Sequence, residues 1–93
     1  MSRQRFYYSD GEREFLTKHA GEPCFFYNIE TGEYVCFNSE GERAGVIYRT
    51  IAKSDKKWAF TDYFVSKTDL FDSADEAKRF FVGLDSENKE ATR

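Results

Sequence analysis

The chain has 93 residues, of which 40% are hydrophobic and 18% aromatic (10 Phe, 6 Tyr and 1 Trp), and a net charge of −3. A chain of that size forms one domain burying about 60–65% of its unfolded surface. Rings that each bury roughly 150–250 Å² suit a small sheet-and-helix core and exclude disorder.

No apolar run reaches the ~18 residues of a membrane span, and MSRQRFYYSD carries no signal-peptide pattern. A soluble, cytoplasmic protein with no membrane partner is expected.

Ser9 precedes Glu12 by three positions, the capping-box arrangement, and Gly21-Glu22-Pro23 follows as a stop. A short helix is expected over residues 10–20. CFFYNIETGEYVCFN then reads as a hairpin with Glu30-Thr31-Gly32 as a three-residue loop, Gly32 taking the positive-φ place. That register opposes Tyr27 to Val35 and Phe25 to Phe37. It gathers Phe25, Tyr27, Ile29, Val35 and Phe37 on one face, with Cys24 and Cys36 diagonal on the other. A turn at NSEGER leads to AGVIYRTIA, KSDKK closes that strand, and WAFTDYFV is the fourth. SKTD turns again before Leu70-Phe71. Ser73 and Glu76 make a second capping box, and Ala74, Ala77, Phe80, Phe81 and Leu84 fall in one helical stripe that should pack on the sheet.

The expected fold is α+β in the order α-β-β-β-β-α: four antiparallel strands, or five if Leu70-Phe71 pairs as a short edge strand, packed with two short helices. Residues 1–85 form the domain, and SENKEATR, 86–93, lacks apolar content and should fray.

The chemistry-bearing residues are few. His19 is the one imidazole and there is no C-x-x-C, so neither a metal nor another cofactor is expected. Cys24 and Cys36 read as reduced packing residues, since small secreted scaffolds usually carry four or more cysteines. A Cys24–His19 couple would have to converge across the Gly-Glu-Pro break, and His19 is better explained by its place in a helix's last turn. No phosphate-cradling glycine motif occurs. The chain is read as a non-enzyme.

Charge is distributed unevenly. Residues 1–42 carry four bases against eight acids, residues 43–67 six bases against two acids, and residues 68–93 four bases against seven acids. The middle segment interleaves Arg43, Tyr48, Arg49, Lys57 and Trp58, cations and flat rings of the kind single-stranded nucleic acid needs. Lysines at turns and edge strands also serve to block edge pairing.

The run AGVIYRTIAKSDKKWAFTDYFVSKTDLFDSADEAKRFF, residues 44–81, resembles the three-stranded DNA-binding domains of plant ethylene-response factors and tyrosine-integrase arms. That resemblance implies a nucleic-acid-binding module. The strands lack the dense arginine pattern of those domains, and the whole chain is acidic.

Phe71-Asp72-Ser73 and Phe80-Phe81, in a small chain with a short antiparallel sheet, resemble the phage-encoded inhibitors of bacterial defence known as anti-CRISPR proteins. The resemblance implies a non-catalytic, protein-binding inhibitor or adaptor acting in host bacterial cytoplasm. It would block a nucleic-acid-handling complex by steric and electrostatic occlusion. In that reading Asp10, Glu12, Glu14, Asp72, Asp75 and Glu76 dock on a basic protein surface, with Tyr7, Tyr8 and Tyr34 as apolar anchors. The chain is then a monomer or homodimer. This is the favoured expectation, and nucleic-acid binding by residues 43–67 is the alternative.

Overall fold

A computed structural model describes residues 8–19, 21–51 and 57–91. The elements are α1 (Asp10–Lys18), β1 (Cys24–Asn28), β2 (Glu33–Phe37), β3 (Arg43–Arg49), β4 (Trp58–Asp62), β5 (Lys67–Phe71) and α2 (Ala74–Ala91). The strands form one antiparallel sheet in sequential order, so the class is α+β. The fifth strand is complete: Lys67 to Phe71 pairs with β4 along its whole length. SKTD, expected as a turn, supplies the first residues of that strand, and α2 continues past residue 85 to Ala91.

The first hairpin corrects the expected register by one residue. Tyr27 opposes Tyr34, Phe26 opposes Val35 and Phe25 opposes Cys36. The cause lies at Asn28. Its carboxamide oxygen accepts the Glu30 and Thr31 N–H groups at 2.9 and 3.4 Å, and its carbonyl accepts the Gly32 N–H at 2.7 Å. These bonds hold a loop spanning residues 29–32, and Gly32 occupies the left-handed region at φ 75. The slip moves Val35 and Phe37 to the face opposite Phe25 and Tyr27. Ile29 leaves the strand and is 84% exposed. Cys24 and Cys36 fall on opposite faces.

The β4–β5 hairpin repeats the device. Asp62 Oδ1 accepts the Phe64 N–H at 2.8 Å, the Asp62 carbonyl accepts the Ser66 N–H at 2.9 Å, and Ser66 takes φ 56 where the first hairpin has glycine.

Each face of the sheet has its own helix. On one, α2 lays Ala77 and Phe81 over Cys36, Ala44, Ile47 and Phe60, with Phe25, Tyr34, Trp58, Phe71, Ala74 and Leu84 around them. The predicted stripe is therefore the buried one. Phe80 lies at its margin, 5.2 Å from the Phe71 ring and 6.0 Å from Phe60. On the other face α1 covers only the β1–β2 side, where Phe15 meets Phe26 at 5.4 Å and Phe37 at 6.4 Å. The rest of that face carries half-buried Val46, Tyr48 and Thr61, with Thr68 and Leu70 exposed. Hydroxyls join across it, Tyr48 to Thr61 at 3.2 Å and Thr61 to Thr68 at 2.8 Å.

Gly45 sits where the α2 face is tightest. A Cβ there would lie 2.5 Å from the Thr61 carbonyl oxygen and 2.7 Å from the Phe60 ring. Gly45→Ala is therefore expected to lower the unfolding free energy by about 1–3 kcal/mol, the cost of overpacking a filled core, as measured by urea denaturation. Unchanged stability would show that β4 can shift away.

Candidate functional site

The capping box predicted for α1 forms. Ser9 Oγ accepts the Glu12 N–H at 3.1 Å, and Glu12 Oε1 accepts the Ser9 N–H at 2.9 Å. The same Glu12 oxygen accepts from Arg43 Nη2 at 3.1 Å, and the Arg43 guanidinium lies 5.3 Å from the centre of the Tyr8 ring. Tyr8 in turn rests on Phe37 and donates its hydroxyl to the Gly41 carbonyl at 3.2 Å. Three residues expected at two different interfaces thus hold one another and fasten α1 to the sheet. Glu12, 8% exposed, does not reach a partner surface. Tyr7 lies outside the described residues.

The remaining acids of the helix starts divide between the faces. Asp10 and Glu14 are exposed on α1. Asp72 and Asp75 are exposed at the start of α2, across the sheet, while Glu76 Oε1 accepts the Asp72 N–H at 3.1 Å and the Glu76 N–H donates to Ser73 Oγ at 3.2 Å. These carboxylates do not form one surface.

The basic segment disperses likewise. Arg43 is bound at one end of β3, Lys67 stands at the β4–β5 loop, and Lys53 and Lys56 lie outside the described residues. Tyr48 is on the α1 face. Of Arg49, Lys57 and Trp58, Arg49 and Trp58 come together: they oppose each other across β3 and β4, the guanidinium 5.5 Å from the indole centre, while Lys57 is exposed next in the chain to Trp58. They are joined by residues the sequence reading placed elsewhere. Tyr34, one of the expected protein-contact anchors, lies 6.3 Å from Trp58 and 5.0 Å from Tyr27, and Lys78 Nζ stands 3.9 Å from the Tyr34 ring centre. A shallow cleft of about 420 Å³ opens between the β1–β2 loop and this cluster.

The opposite end of the sheet has a different character. At the β4–β5 loop, Tyr63, Phe64 and Val65 are 47%, 57% and 66% exposed. Tyr63 is turned toward the α1 face, where burial and the Glu33 carboxylate push its phenol up against the opposing pull of Arg43. Phe64 and Val65 face a cleft of about 350 Å³ whose other walls are Phe60, Phe80 and Leu84, with Asp62, Lys67 and Asp69 around it. A second cleft shares Asp62, Phe64 and Leu84 and adds Glu40, Glu42 and Asp85. Asp85 is buried and accepts the Ser39 N–H at 3.2 Å, tying the far part of α2 to the β2–β3 turn. Sequence reasoning missed this surface, although three successive large apolar residues between Asp62 and Ser66 were its visible sign.

Both cysteines are free and buried. Burial pushes the Cys36 thiol far up, Lys78 opposing, and burial followed by Glu22 raises Cys24. A nucleophilic cysteine requires the reverse shift. His19 caps α1, its N–H donating to the Leu16 carbonyl at 3.2 Å and its ring 4.4 Å from Phe15. Among the described residues no group of three His, Cys, Asp or Glu side chains is placed to hold a metal ion. No helix among the described residues is long and apolar enough to cross a membrane. Comparisons with protein-family models, with curated proteins and with solved structures return no match.

Two outcomes follow from these contacts. Glu12→Ala removes both a helix cap and the partner of Arg43, and should destabilise the fold by about 2 kcal/mol in chemical denaturation. Adding Arg43→Met should recover part of that loss. For the thiols, the folded values lie above the ordinary 9.0, so only the unfolded chain ionises as pH rises past it. Stability should be fully present below about pH 9 and decline above it, and the melting temperature of Cys36→Ala should fall less over the same range.

Proposed function

We propose that the chain is a non-catalytic, protein-binding module whose contact surface is the β4–β5 loop and the adjoining flank of α2. The observation that carries this reading is the exposure of Phe64 and Val65 beside Phe80 and Leu84, around one cleft flanked by Asp62, Lys67 and Asp69, with Glu40 and Glu42 on the adjoining cleft. Contiguous exposed apolar side chains rimmed by polar groups mark protein contacts. Carboxylates around them speed association with a basic partner and disfavour acidic ones.

The partner is therefore a protein with a basic rim around an apolar depression. Surfaces that handle nucleic acid are basic, and occupying one would exclude its natural ligand. That is the inhibitory role implied by the resemblance to anti-CRISPR proteins. The acids of the helix starts, divided between two faces, give way to the loop as the contact. Asp10 and Glu14 contribute only to the long-range field.

A photo-crosslinking residue introduced at Val65 should trap a basic protein from a bacterial lysate, whereas one at Asp10 should not. Phe64→Ser with Val65→Ser should weaken capture of that protein by roughly a hundredfold, two contact residues at about 1–2 kcal/mol each, while leaving the melting temperature within a few degrees. Equal crosslinking from both positions, or capture untouched by the double substitution, would remove the loop from the interface.

A further inference from the structure

The end of the sheet away from the loop carries a cluster of aromatic and cationic side chains at the margin of the α2 core. Tyr27 lies on the edge strand, 49% exposed, with its ring 5.0 Å from Tyr34. Tyr34 continues to Trp58 at 6.3 Å, so three rings from β1, β2 and β4 form a row on the α2 face of the sheet. The register produces the row: Tyr27 opposes Tyr34, and Trp58 opposes Arg49.

Two cations lie over these rings, Lys78 Nζ at 3.9 Å from the Tyr34 centre and the Arg49 guanidinium at 5.5 Å from the Trp58 centre. Lys57, exposed, precedes Trp58 in the chain. The row borders an open cleft of about 420 Å³, on whose lining Glu33 is a carboxylate.

We propose that this end binds single-stranded nucleic acid. Tyr27, the exposed ring of the row, accepts a base by stacking, which every base can do, and the guanidinium held over the half-buried Trp58 indole presents a flat cationic surface to a base or a charge to its phosphate. Arg49 and Lys78 stand over the row from β3 and α2, so they meet phosphates of one strand laid across it. The cleft is shallow and its rings come from different strands of a twisted sheet, a shape that suits a flexible strand rather than a stiff duplex. Glu33 repels the strand, which limits the affinity at low salt and makes its salt dependence shallower. This surface is separate from the β4–β5 loop, and neither needs the other.

Trp58 is the only tryptophan in the chain, so its emission reports on this end directly. Titrating the 93-residue protein with a short oligothymidylate should quench that emission, and the affinity should fall with salt at a logarithmic slope of about −1.4 for two cations on a single strand. Tyr27→Ala and Arg49→Ala should each weaken binding roughly tenfold. Phe64→Ser should leave it unchanged, which separates this site from the protein-binding surface. Circular dichroism of each variant shows whether it is folded, and Arg49→Lys, which keeps charge but loses the flat group, should bind between wild type and Arg49→Ala. An emission spectrum unmoved by the oligonucleotide would overturn the proposal. So would binding indifferent to Tyr27→Ala and Arg49→Ala, or equal affinity for a duplex of the same length.

Discussion

Phe60 lies against a strand position that has no side chain, and the α2 face of the sheet is arranged around that contact. Its ring is 1% exposed, occupies the space a Cβ at Gly45 would need, and is met from α2 by Phe81 at 5.6 Å and Phe80 at 6.0 Å. Small Ala77 lets the helix descend beside it, and Phe81 reaches across to Phe25 on the edge strand at 5.7 Å. Close packing of this kind leaves α2 a single lie on the sheet.

That lie decides what each end of the molecule presents. The first turns of α2 bring Lys78 over Tyr34 and complete the aromatic row with Trp58 and Arg49. The later turns bring Leu84 beside Phe64, and Asp85 to the Ser39 N–H. One end is thus aromatic and cationic, the other apolar with Asp62, Lys67 and Asp69 around it, although the chain as a whole has a modest net charge of −3. The opposite face is governed by different forces. There Glu12, Arg43 and Tyr8 close a polar cluster beneath a nine-residue helix too short to cover five strands. Half-buried partners of this type contribute stability mainly because removing one strands the other.

The two proposed surfaces lie at opposite ends of β4, so one side chain order serves both. Trp58 begins the strand and Asp62 ends it, with buried Ala59 and Phe60 between. A protein contact at the loop and a strand of nucleic acid at the Trp58 end are therefore sterically compatible.

Signals that act within a few residues were legible in the sequence. Both helix starts follow from serine and glutamate three positions apart, the α2 stripe from its periodicity, and the β-branched and aromatic runs from their strand propensity, because each depends on neighbours along the chain. The α+β class follows from those elements. The register of the first hairpin did not, since Gly32 suits a three- or a four-residue loop and the carboxamide of Asn28, once folded back on Glu30, selects the longer one. Nor could composition show that Arg43 is held by Glu12 while Arg49 stands free to meet Trp58, six residues away and on the other face. Tertiary structure alone decided which charges face solvent together, because that depends on pairings between segments far apart in the chain, where a one-residue slip exchanges the two faces of the sheet.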